Sequence, residues 1–249
     1  MSKRGVAVVT GGGRGIGAET ARVLATRGWD VCVGYATGVD SAEVVAEQCR
    51  EAGRIARAVQ ADVAEPMGAA RLFEAAEALG TVTVLVNNAA IVLAESRVDE
   101  TSFEPFTRLL AVNVVGPFLC AREAVRRMST RYGGRGGAIV NISSIAARNG
   151  ASSRHVDYAA TKGAIESMTI GLAHEVAAEG IRVNCVRPGF IETAMHQGAG
   201  SEEGAEDRRR AAALLRGGRP DEVANTVAWL CSDEASYVVG AIVEVSGGR

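Results

Sequence analysis

Apolar residues along the chain fall into short unbroken runs separated by longer amphipathic stretches. Val6-Ala7-Val8-Val9 is one such run, and residues 31–33, 55–59, 82–86, 138–142, 181–186 and 242–245 are others. Short apolar runs with little polar alternation read as strands covered on both faces. The stretches between them carry helical punctuation. Residues 15–28 close at Gly28, 41–52 at Gly53 and 157–179 at Gly180, the residue type that accepts a left-handed helix end. Pro66 and Pro220 suit the first turns of helices reaching about Leu79 and Ser232. A longer helix is expected over 105–130, ended by the glycine-rich stretch Gly133 to Gly137, and a highly charged one over 201–216. Strands alternating with helices predict an α/β fold. Its seven strands form a doubly wound parallel sheet with helices on both faces, because parallel neighbours require crossovers. No linker, repeat or low-complexity segment divides the chain, so residues 1–249 are expected to form one domain.

Composition narrows the function classes. Apolar residues make up 47 % of the 249 positions, enough buried surface to offset the ordering entropy and exclude disorder as the main state. The formal charge of −2 gives no long-range pull on phosphates, which argues against a nucleic-acid partner held by bulk charge. No apolar run reaches the ~20 residues of a membrane helix, and the start of the chain lacks a signal-peptide pattern. No membrane partner and a cytoplasmic location are the expectations. The five cysteines (Cys32, Cys49, Cys120, Cys185 and Cys231) are scattered without a CxxC and read as buried reduced thiols. The three histidines show no ligand spacing, so no metal is expected.

Chemistry enters at the first strand-to-helix junction. Thr10-Gly11-Gly12-Gly13-Arg14-Gly15-Ile16-Gly17 offers a tight turn, close approach of backbone N–H groups to a pyrophosphate, and close helix packing. A site preferring NAD would place Asp or Glu at the end of the second strand. Tyr35-Ala36-Thr37 stands there instead, while Arg14 can pair with an extra phosphate and Thr37 can add a hydroxyl. NADP(H) is therefore favoured, with NAD(H) the alternative. Asp62 and Val63 follow the third strand, where a carboxylate can accept from an adenine amino group. Asn87-Asn88-Ala89-Ala90 follows the fourth, where carboxamides can tie strands together and border a ribose.

Tyr158 and Lys162 are four residues apart and share one helix face. Lys3 and Lys162 are the only lysines among 27 Lys and Arg, so the compact ammonium at this position stands out. A neighbouring cation favours phenolate. Moving a phenol from ~10 towards ~7 corresponds to ~4 kcal/mol of differential stabilisation. Ser143-Ser144 closes the fifth strand and Asn113 lies in the long helix before it.

Together these residues resemble the short-chain dehydrogenase/reductase family, in its compact single-domain branch. The matching segments are TGGGRGIG (10–17), Asp62, NNAA (87–90), Asn113 within LLAVNVVG, NISS (141–144), YAATK (158–162) and RPGFIET (187–193), in family order across nearly the whole chain. Ala90 departs from the family's usual glycine, and the Ser144–Tyr158 interval is one residue longer than the common one. The resemblance implies a Rossmann-like fold and specific roles. Tyr158 would exchange the proton with the substrate oxygen, Ser144 would polarise that oxygen, and Lys162 would bind the nicotinamide ribose and tune Tyr158. Asn113 would hold a water in a proton relay behind Lys162. Gly11, Arg14, Gly15, Ile16 and Gly17 would cradle the phosphates, with Asn88 and Ala89 at the ribose. Pro188, Gly189, Ile191 and Thr193 would position the nicotinamide end.

The activity implied is hydride transfer between NADP(H) and a small carbonyl or secondary-alcohol substrate. A 3-oxoacyl thioester and a sugar or polyol both stay open. A non-catalytic nucleotide-binding regulator on the same fold is the alternative of a different class. Residues 148–157 would wall the substrate pocket and residues 194–216 would form a lid, with His155, Met195 and His196 as candidate contacts. The small residues Ala159, Ala160, Gly163, Ala164 and Ala173 on the 157–179 helix permit close approach between helices, and a homo-oligomer, tetramer or dimer, is expected.

Overall fold

A computed structural model describes residues 4–151, 154–193, 206–207 and 209–249. The strands are β1 (Val6–Val9), β2 (Asp30–Tyr35), β3 (Ala56–Gln60), β4 (Val82–Asn87), β5 (Gly137–Ile142), β6 (Ile181–Pro188) and β7 (Ile242–Val245). They form a seven-stranded sheet in the order β3-β2-β1-β4-β5-β6-β7, every pairing parallel. Helices α1 (Gly15–Thr26), α2 (Val39–Glu51), α3 (Pro66–Glu77), α4 (Phe103–Leu110), α5 (Gly116–Met128), α6 (Ala146–Asn149), α7 (Val156–Val176) and α8 (Pro220–Cys231) connect and cover it.

The unbroken apolar runs are explained by burial on both faces. Along β1, Ala7 and Val9 join the core beneath α1, α2 and α8, while Val6 and Val8 join the core beneath α3, α5 and α7. The same alternation sends Val140 and Ile142 of β5 one way and Ile139 the other. All five cysteines are free and buried within these layers. Burial raises their thiols, to about 11 for Cys49 and about 12 for the other four. Among the described residues no helix is long and apolar enough to cross a membrane.

Two elements differ from expectation. The predicted 105–130 helix is interrupted at Ala111–Val115 by a π-helical turn, which the apolar spacing on either side conceals. Within the predicted 201–216 helix, residues 211–216 are turn and irregular structure; residues 194–205 and 208 lie outside the described residues, and with them Met195 and His196.

The strand order reverses between β1 and β4, and a ligand crevice opens at such a switch point. Side chains pin it. Thr10 Oγ1 accepts the backbone N–H groups of Asn88 and Ala89, and Asn88 Nδ2 donates to the carbonyls of Thr10 and Gly11. Asn87 Nδ2 donates to Asn141 Oδ1, whose own amide donates to Thr169 Oγ1, stitching β4 to β5 and to α7.

Candidate active site

A cleft of about 770 Å³ runs along the C-terminal ends of the strands. At one end Gly11, Arg14, Gly15 and Ile16 face it, with Thr37 beyond β2. Gly11 has φ +61°, a conformation glycine adopts freely. Gly17, expected among the phosphate contacts, does not line the cleft. A Cβ there would lie 2.4 Å from Asn88 Nδ2 and from the Gly11 carbonyl, so this position accepts no side chain. Arg14 is exposed at the start of α1 and makes no ion pair among the described residues. The backbone-lined turn, the cleft volume and this available guanidinium fit a phosphorylated dinucleotide.

Asp62, Val63, Asn88 and Ala89 line the middle of the cleft. Asp62 is more engaged than its sequence position indicated. Its Oδ1 accepts the Ala64 N–H, and its Oδ2 takes Arg108 Nη2 at 2.5 Å. Arg108, which also lines the cleft, has no signal in the sequence linking it to Asp62.

Pro188, Gly189 and Ile191 line the cleft with Ser144, Tyr158 and Lys162, while Thr193 borders the glycine turn, its Cγ2 3.4 Å from where a Gly15 Cβ would stand. The Ser144 side chain faces the cleft beside Tyr158. Its Oγ accepts the Ala146 N–H, which fixes the hydroxyl at the start of α6. Lys162 is 3 % exposed, and its Nζ donates to the Ile142 carbonyl at 2.8 Å. That ammonium lies 5.5 Å from the centre of the Tyr158 ring.

The expected lowering of the phenol is corrected here. Burial pushes Tyr158 up to about 12, with the neighbouring Ser144 hydroxyl acting in the opposite direction. Burial also pushes Lys162 down to about 8. Two neighbouring groups leaving water each lose solvation of their charged form, and the ammonium spends a hydrogen bond on a carbonyl rather than on the phenol.

Asn113 does not line the cleft. Buried in the π turn, its Oδ1 accepts the Ile91 N–H, and its Nδ2 donates to the Ile91 carbonyl and to Thr161 Oγ1. It braces the segment after β4 against α7, and its side-chain hydrogen bonds go to Ile91 and Thr161 rather than to Lys162. On the substrate side, α6 ends at Gly150, and His155 Nε2 lies 3.7 Å from Glu95 Oε1. Val92, Ile145 and Phe190 give this part of the cleft an apolar lining.

A seven-stranded parallel sheet with a glycine turn at its switch point and a Ser-Tyr-Lys cluster at its edge defines a class. The chain belongs to the short-chain dehydrogenase/reductase family. Residues 11–249 match the family model described as enoyl-(acyl carrier protein) reductase. The chain is 47 % identical over 246 residues to the uncharacterized oxidoreductase YgfF of Escherichia coli, covering 98 % of this chain and 99 % of the relative. It is 37 % identical to a 3-oxoacyl-[acyl-carrier-protein] reductase of Staphylococcus aureus, covering 97 % and 96 %. Among solved structures it superposes with a TM-score of 0.91 on a blue fluorescent protein from a metagenomic library in complex with NADPH. That match is 36 % identical and covers 99 % and 98 % of the two chains.

Proposed function

We propose that this oxidoreductase is an NADP(H)-dependent carbonyl reductase or alcohol dehydrogenase. The observation that carries the reading is that Ser144, Tyr158 and the buried Lys162 line one cleft with the glycine turn, the Lys162 ammonium lying 5.5 Å from the centre of the Tyr158 ring. Two hydroxyls side by side suit a substrate oxygen. This favours carbonyl chemistry over the enoyl reduction named in the family description.

The cofactor's reduced nicotinamide supplies hydride when bound. The chain's residues supply the rest. Gly11, Gly15 and Ile16 bind the phosphates, Arg14 and Thr37 take the additional phosphate of NADP(H), and Asp62 and Val63 hold the adenine. Asn88 and Ala89 border a ribose, and Pro188, Gly189, Ile191 and Thr193 exclude water around the nicotinamide. Ser144 donates to the substrate oxygen, and Tyr158 gives it a proton. A phenol pushed up to about 12 is protonated at neutral pH, so the free site is set for reduction. Lys162 keeps ammonium hydrogens for the nicotinamide ribose after its bond to Ile142. Asn113 braces the site from the π turn through its bonds to Ile91 and Thr161.

Val92, Ile145 and Phe190 in the cleft suit a small ketone or a 3-oxoacyl thioester, while Asn149, Arg154 and His155 keep a sugar or polyol open. Exposed Phe103 and Val115, with Phe118 and Ile170, form apolar surface on α4, α5, α7 and the π turn. Together with exposed Ala160 and half-buried Gly163 and Ala164, they suit helix-to-helix contact between copies of the chain. Ala159 and Ala173, also expected at that contact, face the core instead.

The test is Tyr158→Phe, assayed by NADPH oxidation across ketones, diketones and a 3-oxoacyl thioester. Turnover should fall by about 10²–10⁴ with NADPH affinity retained. Wild-type turnover in the variant rejects the reading, and NADPH binding without turnover by the wild-type protein supports the regulator.

A further inference from the structure

Behind the catalytic cluster lies a charge network that the proposed chemistry does not use. Glu166 sits one helical turn beyond Lys162 on α7, and Arg187 directly precedes Pro188 on β6. Their side chains form a two-pronged ion pair: Arg187 Nε donates to Glu166 Oε1 at 2.8 Å, and Nη2 to Oε2 at 2.7 Å. Both are largely withdrawn from water, at 16 % and 13 % side-chain exposure.

The pair reaches the reacting residues through their chain neighbours. Glu166 Oε1 also accepts the Ser143 hydroxyl at 2.8 Å, and Ser143 Oγ lies 3.3 Å from the Lys162 carbonyl. Ser143 is bonded in sequence to Ser144. Its own N–H donates to the Val186 carbonyl, and the Ile145 N–H donates to Pro188. Arg187 Nη1 extends the network to Glu244 on β7, which also pairs with Arg148 on α6 at the substrate side. The α7 helix that carries Tyr158 and Lys162, the β6 strand that leads into Pro188 and the segment that holds Ser143 and Ser144 thus meet at one carboxylate–guanidinium fork.

We propose that Glu166 and Arg187 are positioning residues, which hold Ser143 and through it set the Ser144 hydroxyl against Tyr158. This inference rests on the oxidoreductase reading and adds to it the part that aligns its two hydroxyls. A buried ion pair is a poor device for stability alone, because an apolar pair of similar volume performs as well or better. Its directional bonds fix an angle that apolar packing leaves loose, and hydroxyl alignment is what proton donation requires.

The double variant Glu166→Met/Arg187→Met removes the fork without leaving an unpaired charge. Its thermal midpoint should stay near that of the wild type, and NADPH affinity by fluorescence titration should change less than about twofold. The value of kcat should fall roughly tenfold with KM little changed. Ser143→Ala should reproduce that loss alone and add little to the double variant. Should the double variant fail to fold, Ser143→Ala combined with Glu166→Gln gives the same non-additive readout. A double variant that turns over like the wild type, or a Ser143→Ala loss that multiplies with it, overturns the proposal. A wild-type protein that reduces none of the carbonyl compounds overturns the carbonyl-reductase reading and this inference with it. The first two outcomes overturn this inference alone.

Discussion

The two ends of the cleft are built from different material. Around β1 and α1 the working surface is main chain: Gly11, Gly15 and Ile16 present backbone, and Asn88 holds the turn by its carbonyls. Around β5, β6 and α7 the working surface is side chain: Ser144, Tyr158 and Lys162, supported by Ser143, Glu166 and Arg187. A main-chain site is rigid and costs little electrostatically, but it tolerates no added atoms. A side-chain site tolerates changes of volume better, yet it buries charge and depends on bonds from several elements. The first end is suited to holding a ligand that does not react, and the second to handling a proton.

Substituting each end separately should separate binding from chemistry. Ser144→Ala removes one donor to the substrate oxygen. It should lower kcat by about 10²–10³, some 2.7–4 kcal/mol, while NADPH affinity and thermal midpoint hold. Gly17→Val should do the reverse. Its Cβ would collide with Asn88 Nδ2 and the Gly11 carbonyl, so NADPH affinity drops and stability falls by about 1–3 kcal/mol. Titration of NADPH against both proteins and calorimetry check this. Equal losses of affinity would show that the two ends are one unit.

The binding end makes a finer distinction at Arg14. The Arg14 side chain has no ion-pair partner among the described residues and faces the cleft. Arg14→Ala should weaken NADPH by about 1.5–3 kcal/mol, the value of a hydrogen bond to a charged group, and leave NADH unchanged. A loss shared equally by the two cofactors would place Arg14 on the pyrophosphate rather than on the additional phosphate.

What the sequence makes legible follows the same division. The glycine turn and the Tyr158–Lys162 pair are local patterns, with their determinants a few residues apart, so a one-dimensional reading finds them. The sheet is legible too, because β1 and its neighbours lie buried on both faces and show continuous apolar runs. Glu166 and Arg187 are 21 residues apart, and Arg108 and Asp62 are 46 apart. Such partners meet only through the fold, and each alone resembles any surface charge. Gly17 is the converse case: its place in the motif is plain, but the crowding of its α-carbon depends on where Asn88 lands. The direction of the Tyr158 shift failed for a related reason. Sequence spacing supplies the nearby cation but not the burial that raises the phenol.

The smallest effect concerns the side-chain end in the cofactor-free protein. Lys162 falls from about 10.5 in the unfolded chain to about 8 in the fold. Between those values the unfolded state binds a proton that the native state has released, so this group makes stability rise with pH. Below pH 8 both states hold the proton and the full burial penalty persists. The buried thiols act oppositely: their raised values mean that the unfolded chain loses protons first above about pH 9, and stability then declines. The lysine is therefore isolated by comparison with Lys162→Met, which keeps every cysteine. From pH 8 to pH 9 the unfolding free energy of the wild type should gain about 1 kcal/mol relative to that variant. Urea unfolding at the two pH values measures it. A constant difference would mean that Lys162 keeps its proton throughout. Its bond to the Ile142 carbonyl would then outweigh its loss of solvation, and the catalytic end would carry a fixed positive charge like that of Arg14.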